Sequence, residues 1–284
     1  MHTTDTADVL PLGRTPRPAT GEELAARLHA TVSESLAGLA DASRVNVSAR
    51  LEGADVTELD VDLTGVVVTR VPSSAPEAPP AVAVRERTPG VVGRLRVQAH
   101  PLTALDVPVD VDADLARVPF AWVESPDDRL GVELLEPPAT DPVTGSVRVA
   151  APREQVLEAV RRVATRVAAR QGVTLQQLDV DLVQQGPSGF AVRLDARVRK
   201  GLLGASVQAR ATATISEALV LTLADVDLSS GNPLVGAMLS MARSRVDAVA
   251  ARPIDLAAQL PPGVRLQDVR VEVGEQLVLT ARAV

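Results

Sequence analysis

The run GFAVRLDARVRK (Gly189–Lys200), the link GLLG (Gly201–Gly204) and the run ASVQARATATIS (Ala205–Ser216) together decide how this chain is expected to fold. In the first run Phe190, Val192, Leu194, Ala196 and Val198 alternate with Arg193, Asp195, Arg197 and Arg199. In the second, Val207, Ala209, Ala211, Ala213 and Ile215 alternate with Gln208, Arg210, Thr212 and Thr214. Period-two alternation places one set on each face of a strand, so the pair predicts an antiparallel hairpin with one apolar face. Strands of this length span roughly 36 Å at about 3.3 Å per residue. The row of alanines is too small to fill a helix-on-sheet interface generously. Either a helix packs very close, or an aliphatic cavity remains, and such cavities stay dry and accept apolar ligands.

The link is unusual for a turn, because turns are normally polar. Leu202 and Leu203 lie between two glycines, after Arg199 and Lys200. Such a tip suits a bilayer interface. Two buried leucines would contribute roughly 1.5–3 kcal/mol each, and each basic residue about 1 kcal/mol near anionic lipid. That is enough for reversible docking and too little for anchoring. Alternatively, the leucines fold back onto protein. The segment Gly90-Val91-Val92-Gly93-Arg94 is expected to form a similar aliphatic turn in the first half.

Outward from this hairpin, residues 1–19 read as a flexible tail. Thr20 with Glu23 three positions on forms a capping-box pattern. Leu24, Leu28, Val32, Leu36 and Leu39 then make an apolar stripe on a helix ending near Ala42. Alternating runs follow, interrupted by the proline-rich loop Val71–Pro80. In LDVPVDVDADL (Leu105–Leu115), Pro108 points to an edge strand with one wet face. A second helix begins at Pro152, with Val156, Leu157, Val160, Val163, Ala164 and Val167 on its apolar face and Gly172 as its stop. A third is expected from about Asn232 to Ala251, and the chain closes with a hairpin turning at Gly274-Glu275.

LDVDL occurs at Leu59–Leu63 and at Leu178–Leu182, and GVVGRLRVQA (Gly90–Ala99) echoes GLLGASVQA (Gly201–Ala209). These echoes suggest a duplicated helix-plus-meander unit. The expected division is a tail at 1–19, a first unit at 20–145 and a second at 146–284. The expected fold class is α+β, with long amphipathic helices wrapped by curved antiparallel sheets.

Composition excludes several functions. The chain has 284 residues, no cysteine and a net charge of -7. Disulfides, thiolate metal sites and cysteine nucleophiles are therefore ruled out. Only Phe120, Trp122 and Phe190 are aromatic, so stacking platforms for nucleic acid are lacking and no nucleic-acid partner is expected. Residues 1–20 contain no signal-peptide apolar core, and no 18-residue apolar run occurs. A cytoplasmic, peripherally membrane-associated protein is the expectation.

No catalytic constellation stands out. His2, His29 and His100 show no ligand spacing. The acidic run Asp110–Asp114 lacks the glycine and distal glutamate of a calcium loop. Ser188 is not in a nucleophile elbow, and the glycine-spaced stretches carry no phosphate-binding lysine pattern. Arg161, Arg162, Arg166 and Arg170 either face lipid headgroups or simply solvate their helix. No enzyme activity, cofactor or metal is expected.

The second half, Pro152–Val284, resembles the LmeA-like phospholipid-binding family of actinobacteria, within the tubular lipid-binding (TULIP) superfamily. The resemblance rests on LTLADVDLSSGNPLVGAML (Leu221–Leu239) leading into a helix, then on LAAQLPPGVRLQDVRVEVGEQLVLTA (Leu256–Ala281), where the Leu260-Pro261 pair is the most specific part. It covers under half of the chain, and no export signal accompanies it. The resemblance implies two TULIP-like units in tandem and a phospholipid or other acyl lipid held between helix and sheet. The residues expected to line that groove are Phe190, Val192, Leu194, Val207, Ala209, Ala211, Ile215, Leu234, Met238 and Met241. Arg199, Lys200, Leu202 and Leu203 form the expected membrane-docking tip. The alternative is an interaction module with a filled core, such as a homodimer formed through exposed strand edges.

Overall fold

A computed structural model of the chain describes residues 6–69, 81–170, 172–200, 203–216, 219–231, 253–255 and 264–284. Among the described residues strand accounts for 62% and helix for 16%, with two helices. The expected α+β fold of long helices wrapped by sheets, and with it the tandem TULIP arrangement, is therefore corrected to a β-rich fold. The physical reason is the reach of the period-two alternation. It carries one strand, Glu86–Ala104, through the expected turn at Gly90–Gly93 and, with a register shift between Ala99 and Leu102, past Pro101. The expected third helix lies outside the described residues.

The chain divides into two compact units. One comprises residues 1–149, 260–265 and 282–284; the other comprises 150–259 and 266–281.

The first unit opens with β1 (Thr6–Asp8) and β2 (Leu10–Arg14), followed by α1 (Gly21–Ser35), β3 (Ala40–Asp41) and a 3-10 turn at Ala42–Arg44. There follow β4 (Asn46–Glu52), β5 (Asp55–Asp62), β6 (Val67–Val68), β7 (Ala81–Ala83), β8 (Glu86–Ala104), β9 (Val107–Glu124), β10 (Arg129–Leu134) and β11 (Thr144–Pro152). Residues 6–14 are thus strands, not the expected tail. β1 pairs with β7 and β2 with β10. Ala7 and Val9 alternate onto one buried cluster with Val82 and Val123, and Leu12 is also buried.

The expected cap forms in a variant geometry: the Thr20 hydroxyl accepts from the Glu23 N–H at 3.2 Å, while the Glu23 carboxylate accepts from the N–H of Ala19, one residue before the N-cap, at 3.1 Å. The helix stops at Ser35, earlier than the stripe predicts, because the chain turns at Gly38 with φ +75°.

The main sheet of this unit runs β11-β9-β8-β5-β4. Its β5–β8 pair is parallel, with Val56 opposite Val92 and Asp62 opposite Gln98. A parallel pair requires a crossover, so the first half is not the simple antiparallel meander expected from its alternation. β9 lies inside the sheet, which corrects the edge assignment drawn from Pro108. That proline stands second in the strand, beside the two-residue turn Leu105-Asp106, where a missing N–H is tolerated. Val91 and Val92 lie within β8 and form no turn; Val92 is buried and Val91 exposed.

The second unit contains α2 (Arg153–Arg170), β12 (Thr174–Gln184), β13 (Gly189–Lys200), β14 (Leu203–Ile215), β15 (Val220–Ser230), β16 (Ile254–Asp255), β17 (Leu266–Val273) and β18 (Gln276–Ala283). Its sheet is ordered β12-β13-β14-β15-β16 and is antiparallel throughout. β17 and β18 pair across Gly274-Glu275, as the sequence predicts. The internal echoes fall on unequal elements. Leu59–Asp62 ends β5, the third strand after α1, whereas Leu178–Leu182 lies in β12, the first strand after α2.

Candidate functional site

The β13–β14 hairpin forms and brings the two apolar sets onto one face. Phe190 pairs with Ala213, Val192 with Ala211, Leu194 with Ala209, Ala196 with Val207 and Val198 with Ala205. β12 extends the same face with Val180 opposite Leu194 and Leu182 opposite Val192, and β15 extends it with Leu228 opposite Ala209. The apolar residues of three to four strands therefore form cross-strand rows, and across β13–β14 each pair sets a large side chain beside a small one.

The exposure of this face is graded. Ala213 and Ile215, near the Gly189 end, are buried. Phe190, Val192, Leu194, Ala196, Val198, Val207, Ala209 and Ala211 are only half-buried. The opposite face, carrying Arg193, Asp195, Arg197, Ser206, Gln208 and Arg210, is exposed. Of the predicted groove residues, Phe190, Val192, Leu194, Val207, Ala209, Ala211 and Ile215 thus share one face. Leu234, Met238 and Met241 lie outside the described residues, as does Leu202 at the tip. Lys200 and Leu203 close the β13–β14 ladder opposite one another, and Arg199, opposite Gly204, is exposed.

α2 lies along β12, the outer strand of this sheet, running antiparallel to it. The Arg153 guanidinium donates to Asp181 Oδ1 at 2.6 Å and to the Leu182 carbonyl at 3.2 Å, while Arg161 Nε donates to the Leu178 carbonyl at 3.0 Å. These arginines occupy backbone acceptors of a strand that pairs on only one side, which blunts that edge against a further strand. The helix rotation this requires corrects the expected apolar face. Leu157 is buried at 7% exposure, whereas Val160, Val163 and Val167 are 42%, 48% and 53% exposed.

A second contact escaped sequence reasoning. The Gln184 side chain donates to the Val271 carbonyl at 2.7 Å and accepts from the Val273 N–H at 2.8 Å. Its amide thus stands in for one residue of a partner strand and holds β17 at the end of the β12–β13 pair. The Val271 N–H donates to the Pro187 carbonyl at 2.8 Å. Only the Gln184–Gln185 doublet hinted at this, and nothing in its spacing named the partner.

A depression of about 690 Å³ opens near the start of α2, lined by Pro152, Arg153, Glu154, Gln155, Leu157, Gly274 and Glu275. It does not coincide with the apolar sheet face. Its lining mixes both charges and contains no nucleophile–base pair of the kind covalent catalysis uses.

Two of the three aspartates in the acidic run of β9 are paired across strands. Asp114 meets Arg94, with Nε to Oδ1 at 2.9 Å, and Asp112 meets His100 Nε2 at 3.0 Å. The hydrogen bond from the Arg94 guanidinium holds the Asp114 carboxyl below its usual range. Asp62 is held low chiefly by the Thr64 side chain. Among the described residues no group of three or more His, Cys, Asp or Glu is placed to hold a metal ion. No described helix is long and apolar enough to cross a membrane.

Comparison of the chain with protein-family models, with curated proteins and with solved structures gives no match in any of the three.

Proposed function

We propose that the second unit binds an acyl lipid on the apolar face of its five-stranded sheet, without chemistry on the ligand, and docks transiently at a membrane through the β13–β14 hairpin. One observation carries this reading: the cross-strand rows Val192–Ala211 and Leu194–Ala209 are apolar, continuous and only half-buried. A face used purely as core would exclude water more fully. Large residues beside alanines leave a shallow furrow parallel to the strands, and a flexible hydrocarbon chain fits such a shape better than a rigid, polar ligand. Each methylene buried there contributes about 0.8 kcal/mol, so a long chain needs few polar contacts to be retained.

Native mass spectrometry of gently purified protein, followed by solvent extraction, tests this reading. The expected result is a bound acyl lipid, or uptake of one from added vesicles. Filling the furrow with Ala209→Leu and Ala211→Leu together should reduce the bound fraction about tenfold while preserving the strand-rich circular dichroism spectrum. A protein that is empty as purified and stays empty after incubation with vesicles overturns the reading. Self-association of that empty protein through its strand edges would make it an interaction module instead.

A further inference from the structure

We infer that the hairpin end of the second unit, together with the last two turns of α2, forms a docking surface for an anionic bilayer. The inference rests on the lipid-binding reading of this unit and adds the headgroup charge and a second contact element.

α2 and β12 meet at that end. From Arg161, which bonds the Leu178 carbonyl, the helix advances about 13 Å to Arg170 at ~1.5 Å per residue. From Leu178 back to Thr174 the strand covers about 13 Å at ~3.3 Å per residue. Thr174 in turn pairs with Arg199 at the hairpin end. The helix terminus and the hairpin therefore lie together within one unit.

The residues gathered there are basic. Arg166, Arg170 and Arg197 are exposed, and Arg199 and Lys200 precede the hairpin turn. The sequence segments 159–177, 196–206 and 228–231 contain no Asp or Glu. The chain as a whole carries a net charge of -7, so an anionic surface repels it everywhere except where positive charge is concentrated. On α2 these arginines flank Val163 and Val167, the two most exposed valines of the helix. An apolar stripe beside arginines, without acids, matches a helix that lies in the interfacial zone of an anionic membrane.

Two other occupants fit less well. A second copy placed on the same stripe would bring Arg166 and Arg170 against their own counterparts. A nucleic acid would leave the valines in water and find no aromatic side chain there to stack on.

Co-sedimentation of the full chain with vesicles tests the surface. One set is pure phosphatidylcholine and the other an equal mixture of phosphatidylcholine and phosphatidylglycerol. The expected result is binding at least about tenfold tighter to the mixed vesicles, lost when salt shortens the Debye length to ~3 Å. Arg166→Glu with Arg170→Glu should weaken it by about a hundredfold. Val163→Ala with Val167→Ala should weaken it about tenfold, although alanine favours the helix. Val163→Leu with Val167→Leu should strengthen it.

Equal binding to both vesicle sets overturns the surface, as does binding that ignores the valine variants. If no vesicle binds but extracted protein still yields lipid, the docking surface falls and the lipid-binding reading stands. If neither is found, both fall. Concentration-dependent dimers abolished by the valine-to-alanine changes, with no vesicle binding, would assign the stripe to self-association.

Discussion

Gly90 pairs with Phe120 across the β8–β9 ladder, and the lack of a side chain there lets three groups meet. A Cβ at this position would lie 2.5 Å from the Ala54 carbonyl oxygen and 2.9 Å from Phe120 Cζ. That same carbonyl accepts the Trp122 indole N–H at 2.8 Å, and the two rings meet edge-on, 5.3 Å apart and inclined at 77°. The Gly90→Val substitution must therefore displace backbone as well as an aromatic ring. Its effect is an overpacking cost, partly offset by the smaller chain entropy valine loses on folding. A net destabilisation of about 2 kcal/mol is expected. Trp122 is the sole tryptophan and lies inside this cluster, so its fluorescence during urea unfolding reports the change directly. A midpoint matching that of the unsubstituted chain would show that the site has room the geometry does not indicate. None of this was legible beforehand. Gly90 sits in a GVVG pattern that equally suits a turn, and the identity of its neighbours depends on pairings with residues 36 and 30 positions away.

At the scale of elements, local signals performed well and long-range ones did not. The Thr20–Glu23 cap and the turns of the β13–β14 and terminal hairpins all follow from signals a few residues apart in sequence. The parallel β5–β8 pair does not, because alternation says which face a residue occupies and nothing about which strand lies beside it. α2 shows a related limit. Its valine stripe is visible in the sequence, but Arg153 and Arg161 compete for the same orientation by reaching the edge carbonyls of β12. Their hydrogen bonds turn the stripe outward.

The Gln184 clamp is the other element-scale feature, and it yields a direct test. Gln184→Ala removes one donor and one acceptor, leaving the Val273 N–H to water. A loss of about 1 kcal/mol per hydrogen bond is expected at so exposed a position. Protection of the Val273 amide against hydrogen exchange should fall about tenfold. Gln184→Glu should do at least as much, since it sets a carboxylate oxygen against the Val271 carbonyl while keeping the acceptor for Val273. Unchanged exchange at Val273 in both variants would mean that β17 is held by its buried Leu266, Val269 and Val271 alone.

For the molecule as a whole, the decisive contrast is between two sheets with different finish. The first unit buries Phe120, Trp122, Val123 and Leu130 to 2% exposure or less. Its polar side is tied by cross-strand pairs such as Arg94–Asp114 and Arg96–Asp60. The second unit keeps a continuous apolar face half-buried. A lipid filling the furrow would bind the folded state selectively and stabilise it by RT ln(1 + [L]/Kd), about 2.7 kcal/mol at a hundredfold excess over Kd. Because the ligand touches only that face, the gain should be local. Hydrogen exchange with and without added lipid should slow across β13 and β14, most strongly around Val192–Leu194 and Ala209–Ala211. The β8 and β9 amides should remain unchanged. Protection spread evenly over both units would point to general stabilisation by a nonspecific additive. Protection confined to the depression near Arg153 and Glu275 would move the ligand away from the sheet altogether. Slowing restricted to the two hairpin strands is the outcome that the alternation of large and small residues along them requires.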